Sequence, residues 1–175
     1  MIAEKIPPGL YFVATPIGAA RDITLRALDV LAGCDMIAAE DTRNTRKLMD
    51  IHGIALGGRP LIAYHDHNAP KMRPRILAAL ADGQSVAYVS DAGTPLVADP
   101  GFSLSRAAIA EDLPVFAVPG ASAVLAALTV AGLPTDRFLF AGFPPNKSAA
   151  RRKFLDEVKS VPATLIFYES GKRIQ

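Results

Sequence analysis

Along its first 120 residues the chain repeats one unit five times: a short run of Val, Ile, Leu, Phe, Tyr or Ala, then, after each of the first four, a stretch of helical period. "LYFVA" (10–14) reads as a strand, because an unbroken apolar run of this length suits a strand buried on both faces. "DITLRALDVLAGC" (22–34) follows, with Ile23, Leu25, Leu28, Val30 and Leu31 near helical period, which predicts an amphipathic helix. Strand "MIAAE" and helix "TRNTRKLMDIHG" come next, then strand "PLIAY" and helix "APKMRPRILAALADG". Strand "SVAYVS", helix "FSLSRAAIAEDL" and strand "PVFAV" complete the series. Gly53 and Gly83 stand where helices end, since glycine closes a helix in the left-handed conformation without a Cβ penalty. Such alternation predicts an α/β fold: a five-stranded, mainly parallel sheet with helices on both faces.

After "VPGASAVLAALTVAGLPTD" the pattern restarts with strand "RFLFAGF", helix "KSAARRKFLDEVKS" and strand "ATLIFYE". Two strands and one helix cannot cover both faces of their own sheet. The expected organisation is therefore a domain over 1–120, a connecting helix over 121–134, and over 135–175 the incomplete beginning of a second α/β domain. Half the residues are apolar and 21% are charged, the balance of a soluble protein with a core. No run approaches the length of a membrane span. The segment "MIAEKIPPGLYFVATP" has acid and proline where a secretion signal needs an apolar stretch, so a cytoplasmic location is expected. Cys34 is the single cysteine, which excludes a disulfide framework. Net charge is only +2, but cations bunch in "RNTRK", "KMRPR", "KSAARRK" and Lys172–Arg173; such bunches suit a phosphate-rich ligand.

In an open parallel sheet, ligands bind beyond the C-terminal ends of the strands. Five polar or glycine-bearing turns fall there: "TPIG" (15–18), "EDTR" (40–43), "HDHN" (65–68), "DAGTP" (91–95) and "PGASA" (119–123). Glu40 lies about 22 residues after Gly18, where a dinucleotide fold keeps its ribose-binding acid. That fold also needs G-x-G-x-x-G in the first turn, so that backbone can approach a pyrophosphate. Thr-Pro-Ile-Gly cannot do this, and no phosphate-binding G-x-x-x-x-G-K-[ST] loop exists elsewhere. His65 and His67 point to one side of an extended segment but have no convincing third ligand, so no metal is expected. G-x-S-x-G is absent. A rim rich in turns without a phosphate grip suits S-adenosylmethionine, although composition alone does not select it.

At these residues a family resemblance enters. "LYFVATPIG…RDIT", "AAEDTR", "SDAGTPLVADPG", "VPGASA" and "IFYES" together resemble the tetrapyrrole-methylase-like (class III) S-adenosylmethionine-dependent methyltransferases, over residues 10 to about 169. The nearest branch is the one that methylates a cytidine ribose 2′-hydroxyl in small-subunit ribosomal RNA. Gly93-Thr94-Pro95 looks like that branch; porphyrin- and corrin-modifying members carry Gly-Asp-Pro. Ala19 and Gly171-Lys172-Arg173 depart from the branch, which usually has Asn and Pro-His-Arg there.

The resemblance implies two α/β domains with the cofactor in the cleft between them, a homodimer, and an RNA or assembled small-subunit partner. It matches Ile17, Gly93, Thr94, Pro95, Val97, Ser122 and Ala123 to cofactor-contacting positions. A ribose hydroxyl is a poor nucleophile until deprotonated, and the rim offers Asp41, Asp91, Glu40 and His65. Asp41 and Asp91 are the chosen candidates, although either residue type also serves as a helix cap or loop-closing turn. Arg43, Arg46 and Lys47 are placed on RNA phosphates, and His65 on the substrate. The alternatives are a tetrapyrrole C-methyltransferase and a non-catalytic RNA-binding fragment. With the second domain's half of the cleft incomplete, weak cofactor binding and low activity are expected of these 175 residues alone.

Overall fold

A computed structural model describes residues 5–97 and 101–173. The chain divides into two units, Met1–Ser122 and Ala123–Gln175. The first carries β1 (Gly9–Val13), α1 (Leu25–Gly33), β2 (Met36–Ala39), α2 (Thr42–Ile51), β3 (Leu61–Ala63), α3 (Ala69–Ala81), β4 (Ser85–Val89), α4 (Phe102–Ala110) and β5 (Val115–Val118). Its sheet runs β3-β2-β4-β1-β5, and every pairing is parallel. All residues of β1, β2 and β4 are buried, which is why their sequences read as unbroken apolar runs.

Alternate side chains of each strand enter different cores. Leu10, Phe12, Val86 and Tyr88 pack with Ile76 of α3 and Leu104 of α4. Tyr11, Val13, Ile37 and Val89 pack with Leu31 of α1 and Met49 of α2. Burying a side chain of this size stabilises by roughly 1.5–3 kcal/mol. Thus α1 and α2 cover one face, and α3 and α4 the other. β4 lies between β2 and β1, and the chain leaves it toward the opposite face from its neighbours. The change of side thus falls at β4, and the tip of that strand is where a doubly wound sheet binds its ligands.

Local chemistry sets the helix limits. α1 begins at Leu25, three residues later than the periodicity predicts, because the Thr24 hydroxyl accepts the Ala27 N–H at 3.2 Å and caps it. Gly53 and Gly83 close α2 and α3 with φ of +67° and +75°. At the other end of the sheet, the Asp35 carboxylate accepts the Ser85 N–H (2.8 Å) and hydroxyl (2.7 Å), joining the starts of β2 and β4. The Ser85 backbone bond, ahead of the hydroxyl and the Lys5 ammonium, holds the Asp35 pKa below its ordinary value. A carboxyl with a depressed folded-state pKa contributes stability above its unfolded pKa and loses it as pH falls through the folded one. The advantage of the unsubstituted chain over Asp35→Asn in urea midpoint is thus expected to be full at neutral pH and to shrink below about pH 4. A difference independent of pH would refute this.

The second unit holds α5 (Ala123–Val130), β6 (Phe138–Phe140), α6 (Ser148–Val158) and β7 (Thr164–Ile166). β6 and β7 pair in parallel, and both are shorter than their apolar runs. Gly142, at φ +71°, turns the chain out of β6. Tyr168 packs edge-on against Phe140 (4.6 Å) and Phe143 (5.5 Å).

Candidate active site at the strand tips

The turns after β1 and β4 are zipped together. Thr15 and Gly93 exchange two main-chain hydrogen bonds of 3.0 Å as an isolated antiparallel bridge. The Thr15 hydroxyl donates to the Ser90 carbonyl (3.2 Å), and the Ser90 hydroxyl to that of Gly93 (3.3 Å). Gly93 has φ +82°, and a Cβ there would lie 3.3 Å from the Ile17 side chain, so the position favours glycine on both counts. The Thr94 hydroxyl donates to the Ala121 carbonyl (2.9 Å), drawing in the turn after β5. There a Cβ on Gly120 would stand 2.8 Å from that of Ala14.

Ile17, Pro95, Val97 and Ser122 also lie on these turns. Ile17 is exposed, Pro95 buried, and Val97 and Ser122 half-buried. Ala123 opens α5 in the second unit. Leu96 takes φ +69° without being glycine, a conformation that costs about 1–3 kcal/mol and concentrates at functional sites. Positions 98–100 of the "LVADPG" stretch lie outside the described residues.

On the α2 side of β4 the polar side chains converge. The Asp91 N–H donates to Glu40 Oε2 (3.1 Å), and the Asn44 amide to Asp91 Oδ1 (3.2 Å). Asp41 caps α2 by accepting the Arg43 N–H at 2.8 Å. Its carboxylate also takes the Arg43 guanidinium at 3.1 and 2.6 Å. Hydrogen bonds from Arg43, side chain first and then backbone, lower the Asp41 pKa to about 2; the same pairing raises that of Arg43. Arg46 and Lys47 are exposed and form no ion pair among the described residues.

The structure thus brings Asp91 beside the first turn of α2, where Asp41 and Arg43 form one unit. His65 stands apart, at the tip of edge strand β3 and two strands from β4. Its N–H donates to Asn68 Oδ1 (2.9 Å), while its ring Nδ1 is enclosed with no hydrogen-bond partner among the described residues. No group of three or more His, Cys, Asp or Glu suited to a metal occurs among the described residues. Sequence reasoning missed Asn44, Thr15 and Ser90. Each is a small polar residue at an element end, a pattern that signals a cap and says nothing of a partner about 50–80 residues away.

The fold is that of the tetrapyrrole methylases, as superposition on solved structures shows. A crystal structure of diphthine synthase superposes with TM-score 0.70 over 93% of this chain and 65% of its own, at 18% identity. The native form of uroporphyrin III C-methyl transferase from Thermus thermophilus gives 0.61 over 94% of this chain and 71% of its own, at 20% identity. Residues 9–175 match the model of the Tetrapyrrole (Corrin/Porphyrin) Methylases, and the chain belongs to that family. In sequence it is similar to proteins named Ribosomal RNA small subunit methyltransferase I. The one from Mesorhizobium japonicum is 55% identical over 98% of this chain, and that from Escherichia coli O157:H7 is 50% identical over 98%. The chain spans 58% and 59% of the lengths of these two relatives.

Proposed function

We propose that the protein transfers a methyl group from S-adenosylmethionine to a cytidine ribose 2′-hydroxyl of small-subunit ribosomal RNA, working as a cytoplasmic homodimer. Similarity to the ribosomal RNA methyltransferases supports the substrate. The observation that carries the chemistry is Asp91, fixed at the tip of β4 in a hollow that also contains Lys47.

The residues fit the cofactor. Gly93 and Gly120 bring main chain close to neighbouring turns, and Ile17, Thr94, Pro95, Val97, Ser122 and Ala123 offer small or apolar surface with hydroxyls. This is a donor set for an adenosine and an amino-acid tail rather than for a diphosphate. When bound, the cofactor supplies an electrophilic methyl group, so that orientation provides much of the acceleration.

The chain's own residues do the rest. The Asp91 carboxylate accepts the hydroxyl proton as general base. Arg43, Arg46 and Lys47 hold RNA phosphates, which sets the register of the nucleotide. Asp41 serves through Arg43: a carboxyl with a pKa of about 2 is a weak proton acceptor but a firm support for a guanidinium. His65 contacts RNA from the β3 tip.

The direct test is transfer of labelled methyl groups from S-adenosylmethionine to undermethylated small ribosomal subunits, with the label mapped to a cytidine 2′-O-methyl. Labelling of a porphyrinogen with none on the subunits would overturn the reading.

A further inference from the structure

Two hollows meet at Lys47. One, about 330 Å³, lies between the turn after β1, α2 and the tip of β4, with Pro16, Asn44, Leu48, Ile51 and Asp91 in its walls. The other, about 340 Å³, runs along α2 past Arg43, Arg46 and Asp50. Lys47 lines both. Of the cofactor-matched residues Ile17, Gly93, Thr94 and Val97, none lines the first hollow, although it shares their turns.

Building on the ribose-methylation reading, we infer that the first hollow receives the acceptor nucleoside and that Asn44 is a positioning residue for Asp91 within it. Several observations converge on this. One oxygen of Asp91 takes the Asn44 amide, the backbone N–H of Asp91 is tied to Glu40, and the second carboxylate oxygen accepts no hydrogen bond among the described residues. The carboxylate is held in one orientation with one oxygen available for a proton. Pro16, Leu48 and the half-exposed Ile51 give the same hollow an apolar wall, a surface for the face of a base. The volume is at the small end of ligand pockets, roughly 300–1,000 Å³, so it suits a single nucleoside rather than a macrocycle. An enzyme acting on one nucleotide of folded RNA takes it splayed out of its stack. The adjoining basic groove then carries the flanking phosphates, with Lys47 at the junction.

Two variants test this against the unsubstituted protein. Ile51 is 55% exposed, so Ile51→Trp fills the hollow from its rim without entering the core. It is expected to lower kcat/KM for small subunits by about 100-fold, the scale of an ångström-sized misplacement of a reacting group. S-adenosylmethionine affinity by calorimetry and the melting temperature should not change. Asn44→Asp sets a second carboxylate on Asp91, and two such groups resist ionising together. The acid limb of its pH–rate profile is expected to move to higher pH, which a merely structural role for Asn44 would not cause. The other ionisable groups about Asp91 are Glu40 and Asp41 from the turn between β2 and α2, and Arg43 and Lys47 from α2, and neither variant alters them. Ile51→Trp turning over at the unsubstituted rate, or losing cofactor affinity in step with its rate, would overturn the assignment. So would an unshifted acid limb in Asn44→Asp. Absence of transfer by the unsubstituted intact dimer would overturn the ribose-methylation reading and this seat with it, and that control separates the two failures.

Discussion

Asp91→Asn is expected to lower the rate of methyl transfer by about 10² to 10⁴, the range for loss of a positioned general base, with S-adenosylmethionine affinity unchanged. The substitution is nearly isosteric. Its side-chain oxygen can still accept the Asn44 amide, and its backbone N–H still donates to Glu40. Proton acceptance is lost while the clasp between α2 and β4 stays. Asp41→Asn supplies the contrast. Asparagine caps a helix about as well as aspartate, so α2 keeps its start, but the bidentate partner of Arg43 is gone. Its effect should fall on RNA affinity, and kcat should hold. An interaction lost only in the transition state lowers kcat, whereas one lost from ground-state binding raises KM. The opposite pattern, with kcat falling in Asp41→Asn and KM rising in Asp91→Asn, would exchange the two roles.

Much of the sheet was legible because burial on both faces leaves a simple trace. β1, β2 and β4 are buried at every position and read as apolar blocks. β5, an edge strand with Ala117 exposed, is legible mainly through its flanking prolines. The order β3-β2-β4-β1-β5 is not written in any one segment. It follows from which helix faces pack where, and two crossovers over existing strands look identical in sequence to two without.

The site was legible in part for a similar reason. Gly93 and Gly120 stand out because a missing Cβ marks close approach of main chain. Asn44 did not stand out, because its partner is 47 residues away in the chain. The difference between Asp41 and Asp91 was also hidden. Both follow an apolar strand, and only the Arg43 side chain folding back on Asp41 separates a capped, paired carboxylate from one that lines a hollow.

Arg59, which no motif marked, carries the largest expected effect on stability. It lies between α2 and β3, and its guanidinium donates to four main-chain carbonyls: Leu56 (2.8 Å), Leu31 (2.8 Å), Cys34 (3.0 Å) and Ala55 (2.8 Å). The Leu31 and Cys34 carbonyls lie at the C-terminal end of α1, where the helix leaves acceptors unsatisfied and its dipole favours a cation. One side chain thus closes α1 and fixes the loop that delivers β3 to the sheet edge. Arg59→Met keeps the apolar stem and removes every donor. Hydrogen bonds from a charged donor contribute roughly 1.5–3 kcal/mol each but are not additive within one group, so a loss of about 3 kcal/mol is expected. For a chain of this length that lowers the melting temperature by about 10 °C. Cys34 gives an independent readout. Burial, opposed by the Arg59 charge, pushes its thiol up to about 11, and a buried, protonated thiol resists alkylation. In Arg59→Met the end of α1 frays and iodoacetamide should label Cys34 faster. Arg59→Lys should fall close to Met, because one ammonium cannot span four divergent carbonyls as a planar fork does. An unchanged melting temperature together with an unchanged labelling rate would show that the fork is dispensable and that packing alone holds the end of α1.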